Sequence, residues 1–319
     1  MARYRDALPQ LDGGLFLTDG GIETSMIAME GFELPEFAVF PLLSTPQGEA
    51  ALRRYFRSYA EIARRHGAGL VLESATWRAS ADWGALLGSG PDALAEADRR
   101  AIGLLEDVRD EFESGATRVV ISGCIGPRRD GYDPAEAMCA DEAAAYHRAQ
   151  VATFAETAAD MVAALTLTSA AEAVGIAGAA EWAGIPVVIS FTVETDGRLA
   201  SGQTLAAAVE AVDAATSAYP SYYMINCAHP SHFSSAFGAG EPWTARFRGL
   251  RANASRLSHA ELDELDAPDA GDPAELGREY AALKRRLPHL NVFGGCCGTD
   301  HRHLEGIAAA TAPLFRGDG

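Results

Sequence analysis

Asn291-Val292-Phe293-Gly294-Gly295-Cys296-Cys297-Gly298-Thr299 sets two adjacent cysteines directly after a short apolar run, among glycines. On a regular strand neighbouring side chains point to opposite faces. For both sulfurs to reach one point the backbone must leave strand geometry, and the glycines permit that. A vicinal disulfide strains the backbone, so the pair reads as two thiolates aimed at one spot, an arrangement that suits zinc. A third thiolate, Cys227, closes another apolar run, Tyr222-Tyr223-Met224-Ile225-Asn226.

Working outward, eight short apolar segments read as strands: Leu15–Thr18, Leu70–Glu73, Arg118–Ser122, Met161–Thr166, Pro186–Phe191, Tyr222–Asn226, Arg248–Arg251 and Asn291–Phe293. Helical composition fills Gln47–His66, Asp92–Glu113, Asp133–Ala159, Ala170–Ala183, Thr204–Tyr219, Ala274–Arg286 and His303–Ala312. Strands alternating with helices imply parallel pairing. Eight units in 319 residues is the count of a TIM (β/α)8 barrel. Strand count does not show closure, so a doubly wound open sheet is the alternative. Ser234–Trp243 and Asp263–Asp272 read as loops, and no linker or repeat divides the chain, so residues 1–319 are expected to form one domain.

Composition narrows the function. A formal net charge of -18 disfavours nucleic acid and anionic membrane as partners. No stretch approaches the roughly 18 apolar residues of a membrane span, and Met1–Asp12 carries no apolar leader core. Five cysteines without scaffold spacing point to a reducing, cytoplasmic setting with thiols kept for chemistry. There is no G-x-G-x-x-G after the first strand, so a Rossmann-type cofactor site is not expected. His301-Arg302-His303-Leu304-Glu305-Gly306 lacks the Asp placement of a cobalamin motif.

In a TIM barrel the active site lies where strands end. Cys227 ends the sixth strand, and Cys296 and Cys297 end the eighth. Asp19 and Gly20 end the first, Ser74 and Thr76 follow the second, and Asn253 follows the seventh. The cysteines are thus brought to one mouth by an argument independent of zinc. Three thiolates with no fixed fourth ligand describe an open zinc site, where an incoming thiol would be deprotonated and reactive. The natural electrophile is a methyl group on a cationic sulfonium.

Asp19-Gly20-Gly21 with Thr24, Asn226-Cys227 and Gly294-Gly295-Cys296-Cys297-Gly298-Thr299 resemble the motifs of the homocysteine S-methyltransferase family. Ser122-Gly123-Cys124-Ile125-Gly126-Pro127 and Ser190-Phe191-Thr192 resemble its third- and fifth-strand motifs. The family includes the betaine- and S-methylmethionine-dependent enzymes and the homocysteine domain of cobalamin-dependent methionine synthase. The resemblance implies a zinc-binding barrel, with Cys227, Cys296 and Cys297 as ligands and catalytic residues. It also implies a small-molecule thiol acceptor, homocysteine giving methionine, and a methyl donor: S-methylmethionine, S-adenosylmethionine or betaine. Asp19 would meet the acceptor's amino group, and Gly20, Ser74, Thr76, Thr166 and Asn226 would line the pocket.

Two departures bear on the acceptor. Leu165 stands where family members with homocysteine activity usually carry a Glu that contacts the substrate ammonium. Losing a charged hydrogen-bond partner costs about 1.5–3 kcal/mol, so a thiol or selenol lacking the α-amino contact is an alternative acceptor. Arg78, in Trp77-Arg78-Ala79-Ser80, could bind a carboxylate. Glu73 reads either as a carboxylate on the catalytic face or as a partner for Arg78. Further alternatives are a zinc-dependent demethylase or hydrolase and a non-catalytic thiol-binding barrel. Cys124 reads as a packed residue and Cys139 as a helix residue; His229, His232, His301 and His303 read as solvated helix starts, with shaping the pocket or completing the zinc as the alternative. A homo-oligomer is compatible with all of this.

Overall fold

Eight parallel strands close on themselves in chain order, β1 pairing with both β2 and β8. They are β1 (Phe16–Leu17), β2 (Gly69–Glu73), β3 (Val119–Ile125), β4 (Met161–Leu167), β5 (Val187–Phe191), β6 (Tyr222–Asn226), β7 (Phe247–Ala252) and β8 (Val292–Gly295). Each observed strand overlaps the segment read from the sequence, β6 end for end. Closure removes the open-sheet alternative. The computed structural model describes residues 1–129, 138–238, 240–265 and 269–316.

The helices are α1 (Ile22–Ala28), α2 (Pro46–His66), α3 (Ala81–Leu86), α4 (Pro91–Phe112), α5 (Ala140–Ala155), α6 (Ala170–Ala183), α7 (Leu205–Thr216), α8 (Pro230–Phe233), α9 (His259–Asp263), α10 (Pro273–Arg286) and α11 (His301–Thr311). α2 shows why sequence located the long ones. Thr45 caps it through a bond from the Gly48 amide, Pro46 opens it, and Gly67 ends it in the left-handed region. One face, including Leu52, Tyr55, Phe56 and Tyr59, is buried against the barrel. The helix read over Asp133–Ala159 begins at Ala140 instead, with Cys139 as its cap; residues 133–137 lie outside the described residues. The sixth connection is not a full helix: α8 and two 3-10 turns span it. That agrees with the loop read over Ser234–Trp243, whose Gly and Pro content disfavours a longer helix. Of Asp263–Asp272, residues 266–268 lie outside the described residues. Among the described residues no helix is long and apolar enough to cross a membrane.

Alternation along the strands divides two cores. Leu70, Leu72, Val119, Ile121, Val162 and Val187 face outward into the large core under the helices. Phe16, Val71, Val120, Met161, Ala163, Val188, Tyr222, Met224 and Val292 fill the barrel interior, with Leu8 joining them. Toward the C-terminal ends of the strands the inward series changes character. Glu73, Cys124, Leu165, Asn226 and Arg251 form the top, and all are buried. Apolar layers below and a polar layer above make the mouth a platform for chemistry.

Candidate active site

The mouth opens into a cavity of about 510 Å3 whose wall includes Asp19, Gly20, Glu73, Ser74, Thr76, Arg78, Thr166, Asn226, Arg251 and all three candidate cysteines. Every residue nominated from the sequence therefore reaches one space. Phe37, Ile27, Leu262 and Leu265 complete an apolar rim.

The sulfurs of Cys227, Cys296 and Cys297 lie within 4.8 Å of one another, the single such cluster of His, Cys, Asp or Glu among the described residues. Cys227 and Cys297 sulfurs are 3.9 Å apart. A tetrahedral ion with Zn–S bonds of about 2.3 Å sets ligand sulfurs roughly 3.8 Å apart. Cys227 and Cys296 are joined as a disulfide, in which Cys297 takes no part. The donor set fits zinc in its reduced form, since a disulfide sulfur is not a thiolate ligand.

Local backbone explains how distant sulfurs converge. β8 stops at Gly295, the two cysteines occupy a turn, and Gly298 adopts a left-handed φ of 75°. The turn is held against the first strand's loop: Gly295 donates to the Asp19 carbonyl at 2.9 Å and Gly21 to that of Thr299 at 3.1 Å. A Cβ on Gly21 would lie 2.5 Å from the Cys296 carbonyl oxygen, so this approach requires glycine. Cys227 itself has φ 54° and Thr166 φ 64°, both costly for residues with a Cβ. Asn226 holds the second in place: its Oδ1 accepts from the Thr166 amide at 2.8 Å and the Ser190 hydroxyl at 2.6 Å. Its Nδ2 donates to the Thr166 hydroxyl at 2.8 Å. Asn226 thus positions the wall, with its amide oxygen already engaged on both bonds.

Ser74 and Thr76 are likewise engaged. Their hydroxyls lie 2.6 Å apart, the Cys124 amide donates to Ser74, and Thr76 donates to the Cys124 carbonyl at 2.8 Å. They stitch the end of β2 to β3. Arg78 stacks on Trp83 and Trp77, its guanidinium 3.6 and 4.9 Å from the ring centroids.

Asp19 is the largest surprise. Its Oδ1 lies 2.6 Å from Arg251 Nη2, and Tyr55 donates to Oδ2 at 3.2 Å. Tyr55 also donates to the Gly20 carbonyl at 2.9 Å, and Arg251 to the same oxygen at 3.3 Å. Burial lifts the Asp19 carboxyl and Arg251 pulls it back, while Asp19 and then Glu73 hold the guanidinium charged against its own burial. Glu73 therefore answers to Arg251 rather than to Arg78. Tyr55, Glu23 and Arg251 were missed as site residues. The Arg251 signal was present: a charged residue between Leu250 and Ala252, inside a strand of a fully covered parallel sheet, demands a buried partner.

Burial pushes the Glu73 carboxyl up to about 7, with Arg251 opposing; Glu23, half-buried on the wall, is likewise pushed to about 7 by burial. Folding raises the proton affinity of Glu73, so its protonated form favours the folded state. That contribution is complete below the ordinary value of 4.5 and is lost as pH rises through about 7. At about 1.4 kcal/mol per unit this is on the order of 3 kcal/mol. Glu73→Gln should flatten the decline in melting temperature between about pH 4.5 and 7; an unchanged slope would show that Glu73 does not titrate in that window.

The histidines depart from expectation. His229, His232 and His303 are buried and only His301 is exposed. Burial holds the His229 imidazole down at about 4, so it is neutral. His232 bonds to the Arg256 carbonyl at 2.9 Å and His303 to that of Ala270 at 2.6 Å. They brace the loops around the mouth. Cys124 is buried as expected but also lines the cavity.

Comparison with known proteins agrees with this geometry. No curated protein matches the chain at a significant level. Among solved structures, the oxidized form of the homocysteine methyltransferase MmuM from Escherichia coli superposes with a TM-score of 0.74 at 19% identity, covering 95% of this chain and 98% of that one. Its metallated form gives 0.73 at 18% identity over the same shares. At these identities the likeness speaks for the shared barrel. The sequence model of homocysteine S-methyltransferases matches residues 16–311, running from the first barrel strand through the last helix and taking in all three converging cysteines. On that match the chain belongs to the homocysteine S-methyltransferase family and is a methyltransferase.

Proposed function

We propose that the chain moves a methyl group from a cationic donor to the sulfur of a thiol of homocysteine's size, in a zinc-dependent reaction that gives methionine when homocysteine is the acceptor. The donors considered are S-methylmethionine, S-adenosylmethionine and betaine. The observation that carries the reading is three cysteine sulfurs within 4.8 Å of one another, on the wall of a cavity at the open end of the barrel.

Cys227, Cys296 and Cys297 would hold the ion. Zinc there would supply a Lewis acid that brings the thiol's pKa, about 8.5 when free, down into the neutral range. The remaining work falls to the chain. Ser74, Thr76 and Asn226 fix the strand ends so that acceptor and donor meet in one orientation, which converts a two-body encounter into an oriented one. Leu165, Trp77 and the apolar rim exclude water that would compete for the methyl group. In balance, the thiol releases its proton to solvent and a new S–CH3 bond forms. The donor's bond to that methyl breaks, its electron pair staying on the donor atom, which becomes neutral. A reducing compartment such as the cytoplasm would keep the cysteines available.

The test begins with the metal. Protein reduced under nitrogen should take up one zinc per chain by elemental analysis, while protein kept with the Cys227–Cys296 disulfide should take up none. The loaded protein is then offered homocysteine and a panel of other thiols with each donor. Appearance of the methyl thioether by mass spectrometry supports the reading. Zinc-loaded protein that methylates no thiol with any donor would end it.

A further inference from the structure

Arg251 changes what the acceptor pocket can recognise. An α-ammonium is held by carboxylates, and this pocket has two reasons not to hold one. Position 165 offers only a leucine side chain, buried at the top of the barrel. Asp19 is already paired at 2.6 Å with a guanidinium that is itself only 5% exposed. A second cation brought to Asp19 would meet Arg251 at contact range inside a low-dielectric wall, where like charges repel strongly. Glu73, the carboxylate at the end of β2, answers to the same guanidinium, and Glu23, a third carboxylate on the cavity wall, lies in the field of both Arg251 and Arg78.

The positive side of the pocket is better provided. Arg251 Nε and Nη1 are buried and have no hydrogen-bond partner, an arrangement that is costly unless something accepts from them. The residue lies beside the sulfur cluster, the Cys227 amide donating to the Arg251 carbonyl at 3.1 Å. Arg78 supplies a second cation on the cavity wall.

Building on the methyl-transfer reading, we infer that the Arg251 guanidinium occupies the place beside Asp19 that a substrate ammonium would take, and that the acceptor is a short mercapto acid without a free α-ammonium. Its sulfur goes to the three cysteines and its carboxylate to the arginine side of the pocket. Arg251 and Leu165 are then the residues that set acceptor choice.

The experiment compares 4-sulfanylbutanoate, which is homocysteine without its amino group, with N-acetylhomocysteine and homocysteine on the zinc-loaded enzyme. The expected result is a kcat/KM for 4-sulfanylbutanoate at least about tenfold above that for homocysteine, the factor one charged hydrogen bond sets. Leu165→Glu combined with Arg251→Met should reverse the order, because both carboxylates then face the cavity. A binding measurement decides the matter without turnover. Calorimetric titration of the unmodified chain should show 4-(methylsulfanyl)butanoate binding more tightly than methionine. Homocysteine preferred in turnover, or methionine binding as tightly as its des-amino counterpart, would overturn the inference. If no thiol is methylated the methyl-transfer reading fails, yet the titration still shows which ligand the pocket prefers.

Discussion

Cys297→Ser should lower zinc affinity and methyl transfer by more than about 100-fold while leaving the barrel standing. Partners that merely orient metal ligands are each worth about 10–100-fold, and a thiolate ligand replaced by a neutral hydroxyl loses more, because zinc in a sulfur-rich site depends on charge donation. The fold should tolerate the change. Cys297 is partly exposed, lies beyond the last rung of β8, and takes no part in the disulfide. Stability should therefore move by no more than about 0.5 kcal/mol. Elemental analysis, turnover and thermal melting on one preparation check all three statements. A variant that keeps both its zinc and its rate would remove the sulfur cluster from the chemistry.

Asn226→Ala should be the most damaging single change outside the sulfurs. It strips three buried hydrogen bonds at once, leaving the Thr166 amide and the Ser190 hydroxyl without their acceptor. Buried groups orphaned in this way cost about 1–3 kcal/mol each, so a total of about 3–5 kcal/mol is expected. The left-handed Thr166 is held by two of those bonds and should relax toward ordinary strand geometry, carrying Leu165 with it. Cys227 is the next residue along the chain and should shift as well. Misplacing a reacting group by about 1 Å can cost about 100-fold. Denaturant unfolding measures the first effect and kcat/KM the second. Asn226→Asp keeps the acceptor oxygen, so it should recover most of the stability lost by the alanine variant. Failure to do so would show that the amide oxygen is not what holds Thr166.

Most strands were legible because they are buried on both faces and read as nearly continuous apolar runs, as in Tyr222–Asn226; β7, which carries Arg248 and Arg251, departs from that pattern. The long helices were legible through their caps and one-sided burial. The short ones, α1, α3 and α9, were not, since five to seven residues give too few turns to establish a period. Histidine burial was illegible for a different reason. His229, His232 and His303 begin helices in sequence, and only the packing of neighbouring loops decides whether a helix start faces water.

The sequence by itself determined which chemistry was available. Soft ligands sat at the ends of separate apolar runs, and strand–helix alternation requires those ends to share one face of a parallel sheet. Tertiary structure alone decided how the side chains there are used. Whether Asp19 faces a substrate or an arginine depends on a residue 232 positions away, brought beside it by closure of β8 onto β1. Pairing of charges across a barrel is a matter of distance in space, and local sequence carries no record of it.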